Sequence, residues 1–147
     1  METNKRVTPS PHGSLQCYPL RLKPGEEIKE SLATFTRDQG LSSAFVLSCV
    51  GSVTKATLRM ADANQIQDFT GPFEIVSLVG TVSGGQAGHL HASLSDTEGK
   101  VIGGHVISMP VFTTAEVMLG NVGGVEFKRT HDAQTGFDEL EVHSFDK

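Results

Sequence analysis

Cysteine is scarce: Cys17 and Cys49 are the only two in 147 residues. They stand far apart, each in apolar, strand-like surroundings. Buried free thiols in a reducing compartment are therefore expected rather than a disulfide. Basic residues are also few, with 12 Lys and Arg against 17 acidic residues and a formal net charge of −5. That balance excludes the broadly basic surface of a simple nucleic-acid-binding domain. Lys55, Arg59, Lys128 and Arg129 are the internal cations that could still gather locally. No apolar run approaches the roughly 20 residues of a bilayer span. Lys5 and Arg6 are not followed by an apolar segment, so neither a membrane partner nor a secretory leader is expected, and the cytoplasm is the expected location. No nucleophile elbow, P-loop, GxGxxG or His-Glu-x-x-His motif occurs, so covalent, nucleotide and protease-type chemistry find no support.

What is present reads as strands around one helix. Residues 1–13 are polar, carry Pro9, Pro11 and His12, and are expected to be a flexible tail. Residues 14–147 are expected to form a single domain. A first strand covers residues 14–23, with Leu15, Cys17, Leu20 and Leu22 as its apolar contributors. Pro24-Gly25 ends it. Residues 26–39 are the clearest helix: Ile28, Leu32 and Phe35 make one stripe, Glu26 and Glu27 suit the positive end of the helix dipole, and Gly40 suits the stop. Residues 43–53 read as a central strand, apolar on both faces, interrupted by Gly51-Ser52 and resumed over 54–60. Residues 61–71 read as a polar loop in which Ile66 and Phe69 could pack. Further strands are expected over 73–82, 111–122, 125–130 and 139–145, the last keeping Leu140 and Val142 inward. His131 and His143 are expected in solvent. The fold class is α+β, a curled, mostly antiparallel sheet of about seven strands packed with one main helix.

The chemistry concentrates in residues 88–106. Both halves alternate residue by residue, as strands do, around a turn at Asp96-Thr97-Glu98-Gly99. His89 and His91 are two apart and share a face. A two-residue turn would pair His91 with Gly104 and turn His105 away. A three-residue loop, residues 97–99, pairs Asp96 with Lys100 and His91 with His105. Asp96 suits the first position of a type I turn and Gly99 the left-handed position of the bulge, which favours the second register. The three imidazoles would then converge as a facial ligand set for a divalent transition metal, zinc before nickel, copper or iron, with a coordination position left open. Gly103 and Gly104 clear side chains from beside His105, so that a metal, a water or a neighbouring backbone can come close.

Four stretches then line up with one family: Leu20-Arg21-Leu22-Lys23-Pro24-Gly25-Glu26-Glu27-Ile28, Val46-Leu47-Ser48-Cys49-Val50-Gly51-Ser52-Val53, Phe73-Glu74-Ile75-Val76-Ser77-Leu78-Val79-Gly80-Thr81, and His89-Leu90-His91 with Gly103-Gly104-His105-Val106. In order and spacing they resemble the PPC (plants and prokaryotes conserved) domain, as a standalone prokaryotic-type member. The resemblance spans roughly residues 15–142. It implies a curled antiparallel sheet with packed helices, a homotrimer, a metal site at His89, His91 and His105, and a DNA-binding or transcription-associated role. Two features depart from the plant pattern. The chain has no AT-hook, and Gly71-Pro72-Phe73-Glu74-Ile75 carries Pro72 where the plant motif has Arg.

Three uses of such a site remain open on sequence: a metal-binding regulatory module associated with DNA, a metal-dependent enzyme of hydrolase type, and a sensor whose small-molecule ligand completes the coordination. For the enzyme, Glu116 is the candidate catalytic carboxylate, because it lies inside an otherwise apolar strand; a salt-bridged or interface glutamate fits it equally. Residues 45–50 and 111–119 are apolar on both faces while a single amphipathic helix is available to cover them. The leftover apolar surface adds to the expectation of a homotrimer with the metal face near the subunit boundary.

Overall fold

The computed structural model describes residues 11–83 and 88–145. Of the tail expected over residues 1–13, residues 1–10 lie outside the described residues; His12 is exposed. The elements are β1 (Leu15–Leu22), α1 (Ile28–Asp38), β2 (Ala44–Arg59), β3 (Ile66–Thr81), β4 (His89–Ser95), β5 (Val101–Ser108), β6 (Val111–Val122), β7 (Val125–His131) and β8 (Asp138–Ser144). Among the described residues every strand pairing is antiparallel and there is one helix, which bears out the α+β class.

The helix is set by its ends and its stripe. Glu27 is the N-cap: its carboxylate accepts from Glu30 N at 2.6 Å and from Met109 N at 2.8 Å. Gly40, at φ +64, takes the left-handed step that ends the helix. Ile28 and Leu32 are fully buried, each contributing about 1.5–3 kcal/mol by leaving water. Phe35 packs at the edge of the same core, its ring 5.8 Å from that of Tyr18.

The sheet runs β1-β6-β2-β3-β4-β5, and β5 also pairs with β2. The long β2 explains how. One of its edges carries β3 for nearly its whole length; the other carries β6 from Ala44 to Val53 and then β5 from Thr57 to Arg59. Register shifts along β2 bend it enough for β5 to come round. Strands β2, β3, β4 and β5 therefore close on themselves. Leu58, Leu90, Leu94 and Val106 fill the inside, none more than 2% exposed.

Several local expectations change. The break expected at Gly51-Ser52 is absent: β2 runs through it, because neighbours on both edges supply ladder bonds, while Gly51 at φ +153 absorbs the distortion. Residues 66–71, expected as loop, open β3. Their polar side chains face solvent, with Thr57 Oγ1 donating to Asp68 Oδ1 at 2.6 Å, and only Phe69 packs on the core. Cys49 is buried as expected, but Cys17 is exposed, because β1 is an edge strand and turns Tyr18, Leu20 and Leu22 inward instead. Leu140 and Val142 are not inward either, at 39% and 41% exposed; β7 and β8 form a separate two-stranded sheet. Such a ribbon has no second layer of its own to bury both faces.

Candidate metal centre

In β4, Leu90, Ala92 and Leu94 point into the closed sheet, so His89 and His91 point out of it. The turn that follows has the bulged geometry. Asp96 N donates to Lys100 O at 2.9 Å, Gly99 N donates to Asp96 O at 3.1 Å, and Gly99 sits at φ +81. The Asp96 carboxylate accepts from the backbone of Glu98 and Lys100, both at 2.9 Å. This turn pairs Ser95 with Val101 and hence His91 with His105. His89 joins from two residues away, opposite Thr81 of β3.

The three rings meet. Their centroids lie 4.9 Å (His89–His91), 5.4 Å (His89–His105) and 5.7 Å (His91–His105) apart. One nitrogen from each lies within 4.8 Å of the others. All three sequence-predicted ligands are thus brought together. Gly104 serves backbone approach: a Cβ there would lie 2.9 Å from Arg59 O and 3.2 Å from Leu58 Cβ, so a side chain would wedge β5 away from β2.

Charge and burial keep the cluster ready to ligate. Burial, helped by the Arg59 guanidinium, pushes the His105 imidazole down to about 4. Burial, then His91 and Arg129, lower His89 as well. Both rings are therefore neutral at pH 7, the state in which imidazole donates to a metal. Among the described residues His105 Nδ1 is buried and has no hydrogen-bond partner, which costs about 1–3 kcal/mol. One nitrogen from each of the three rings stands within reach of a common ion. The donor set therefore fits a divalent transition ion with open positions.

Two arginines and one glutamate complete the surroundings. A cavity of about 570 Å³ is lined by Arg59, His91, Ser93, Gly103 and His105 among others. A second, of about 260 Å³, is lined by Thr81, His89, His91, Arg129, Glu139 and Leu140 among others. Arg59 and His105 are register partners across β2 and β5. Arg129 comes from β7 and donates from Nη2 to Thr81 Oγ1 at 2.9 Å. Sequence reading singled out both arginines as cations but did not tie them to the histidines, and it missed Glu139. No local pattern marks them, since chain closure and the β7–β8 ribbon carry them there.

Glu116 does not join the site. It is exposed on β6, opposite Arg21 and Val50. Val50 and Arg59 are nine residues apart on β2, roughly 25–30 Å of strand, and Glu116 lines neither cavity beside the histidines. His131 and His143 are exposed and stay with their ribbon neighbours Asp138 and Glu141.

Comparison with known proteins agrees with this architecture. Residues 10–123 match the model of the Plants and Prokaryotes Conserved (PCC) domain, so the match ends before β7. A bifunctional protein GlmU from Synechococcus sp. (strain JA-3-3Ab) is 41% identical over 138 residues, 93% of this chain; the chain spans only 22% of that relative. A hypothetical protein from Salmonella has a solved structure that superposes with a TM-score of 0.86 at 35% identity, covering 92% of this chain and 99% of that one. A metal-containing protein from Archaeoglobus fulgidus superposes with a TM-score of 0.76 at 28% identity, over 92% and 99% of the two chains. Since the family match takes in β1 to β6 and with them the whole histidine hairpin, this chain belongs to the Plants and Prokaryotes Conserved domain family.

Proposed function

We propose that this chain is a metal-binding module of its family, holding a divalent transition ion, zinc by preference, through His89, His91 and His105. The observation that carries the reading is the convergence of the three rings, with one nitrogen from each within 4.8 Å of the others. The Archaeoglobus relative, a metal-containing protein, supports it. A three-imidazole site leaves open positions, at which a bound metal supplies Lewis acidity and a labile water. The chain's own part is to hold neutral rings in a fixed triangle. Elemental analysis of purified protein incubated with zinc tests this: about one ion per chain is expected, lost in His91→Ala. No bound metal in the wild type overturns it.

The same reading places the module in a homotrimer. Leu47 and Val50 of β2, Val76 and Val79 of β3 and Phe112 of β6 are 43–64% exposed, and Val79 is the register partner of His91. Association of these apolar faces would bring the subunit boundary next to the metal. Light scattering near three times 15.7 kDa is expected; a mass near one chain refutes it. The unpaired thiols of Cys17 and Cys49 suit a reducing, cytoplasmic setting.

Duplex DNA, the partner implied by the family resemblance, should bind weakly and without sequence preference. Of the four cations expected to gather locally, Arg59 and Arg129 line the cavities beside the histidines, and Lys128 pairs with Glu126 at 3.7 Å. That leaves Lys55 of the four to neutralise phosphates, in a chain of net charge −5. A tight, sequence-selective gel shift at physiological salt would overturn this.

A further inference from the structure

We infer that the metal centre takes a small oxyanion, a carboxylate or phosphate group bound at the metal's open position and held by Arg59 and Arg129. The inference rests on the proposed metal site and adds the chemical class of its ligand.

Three observations carry it. First, the two arginines approach the histidine triangle from different sides. Arg59 shares the larger cavity with His91 and His105; Arg129 shares the smaller one with His89 and His91. His91 lines both cavities. Second, among the described residues neither guanidinium forms a salt bridge with a carboxylate. Among the same residues Arg59 Nε is buried without a partner and Arg129 makes one side-chain bond, to a neutral hydroxyl, of the five its donors allow. The Arg59 guanidinium carbon lies 5.9 Å from the centre of the Phe137 ring. Third, placing two half-buried cations beside a divalent ion is unfavourable unless negative charge joins them. Among the described residues Glu139, at the rim of the smaller cavity, is the only acidic side chain lining either cavity. Two arginines and an ion outweigh it, and the planar fork of arginine matches the geometry of carboxylate and phosphate oxygens.

The position of Arg129 adds a point about origin. It comes from β7, beyond residues 10–123 that match the family model. The ribbon that follows the matched region therefore helps to select the ligand, while the histidines stand within that region.

Cobalt(II)-loaded protein provides the test, because its visible absorption reports the ion's coordination. Sodium oxalate and inorganic phosphate are titrated separately, with oxamide as the uncharged counterpart of oxalate. Oxalate, phosphate or both should change the cobalt spectrum, and whichever acts names the source of the oxyanion; oxamide should do nothing. Arg59→Gln should weaken the response about tenfold, the scale of one charge-assisted hydrogen bond, and Arg129→Gln should weaken it several-fold. Circular dichroism confirms that each variant is folded. If Arg59→Gln fails to fold, Arg129→Gln asks the same question from outside the main sheet. A cobalt spectrum unmoved by either anion overturns this inference alone. So does a response of equal affinity in the wild type and the folded variants. Absence of any cobalt band overturns the metal reading and this inference with it.

Discussion

Acidification of the metal-free protein should destabilise it through His105, and the sign follows from the geometry. His105 titrates at 6.5 when unfolded and at about 4 when folded, because burial and then Arg59 disfavour its cation. Between these values the unfolded chain binds the proton and the folded chain does not. Stability from this residue is therefore complete above pH 6.5, falls as pH drops, and is fully lost below about 4. Unscreened, the difference converts to about 3 kcal/mol; because solvent reaches part of the ring, a loss of about 1–2 kcal/mol is expected. His89, lowered for the same leading reason, adds in the same direction. The assay is urea unfolding in chelator at pH 7, 6, 5 and 4, at one fixed protein concentration. Far-UV circular dichroism is the signal, since the chain has no tryptophan and one tyrosine. The control is His105→Asn, which keeps the carboxylates whose own titration also destabilises in acid. The wild type should lose about 1–2 kcal/mol more than the variant between pH 7 and 4. Parallel pH profiles would refute the reasoning, since they would mean that His105 carries no desolvation or Arg59 penalty.

Three further outcomes are expected. Leu94→Ala, at a fully buried position on β4, should cost about 2–5 kcal/mol in urea unfolding through the cavity it leaves; a loss below about 1 kcal/mol would mean the strand is not packed as described. A thiol reagent at pH 8 should modify Cys17 quickly, whereas Cys49, buried and pushed up to about 11 by burial with help from Glu116, should react only on unfolding; two equally fast thiols per chain would contradict this. Asp96→Ala removes two backbone hydrogen bonds that hold the bulged turn and should cost about 1 kcal/mol together with a measurable drop in zinc affinity; unchanged zinc binding by calorimetry would show that the turn does not set the histidine register.

The histidine triangle was legible because it is local. Asp96 and Gly99 select one turn, the turn selects one register, and strand periodicity then fixes the face of His89, His91 and His105. The helix was legible for the same reason: its stripe, its acidic start and Gly40 all lie within one short segment. Sequence misjudged places where strand neighbours override local signals. Gly51 does not break β2, because Gly51 pairs with Ala115 of β6 and Ser52 with Glu74 of β3, and residues 66–71 are polar yet extended, because β2 offers them a ladder. It also put Cys17 and Leu140 inside, although an edge strand and a lone ribbon cannot cover both of their faces.

What surrounds the triangle was decided only in three dimensions. Arg59 stands beside His105 because β5 closes onto the far end of β2, although the two are 46 positions apart in the chain. Arg129 and Glu139 reach the rim because the β7–β8 ribbon lies against β3 and β4. No periodicity encodes either approach. Sequence thus determined the convergence of the three imidazoles, through short-range turn chemistry and strand alternation. Sheet closure, a long-range packing outcome, decided the charge around them.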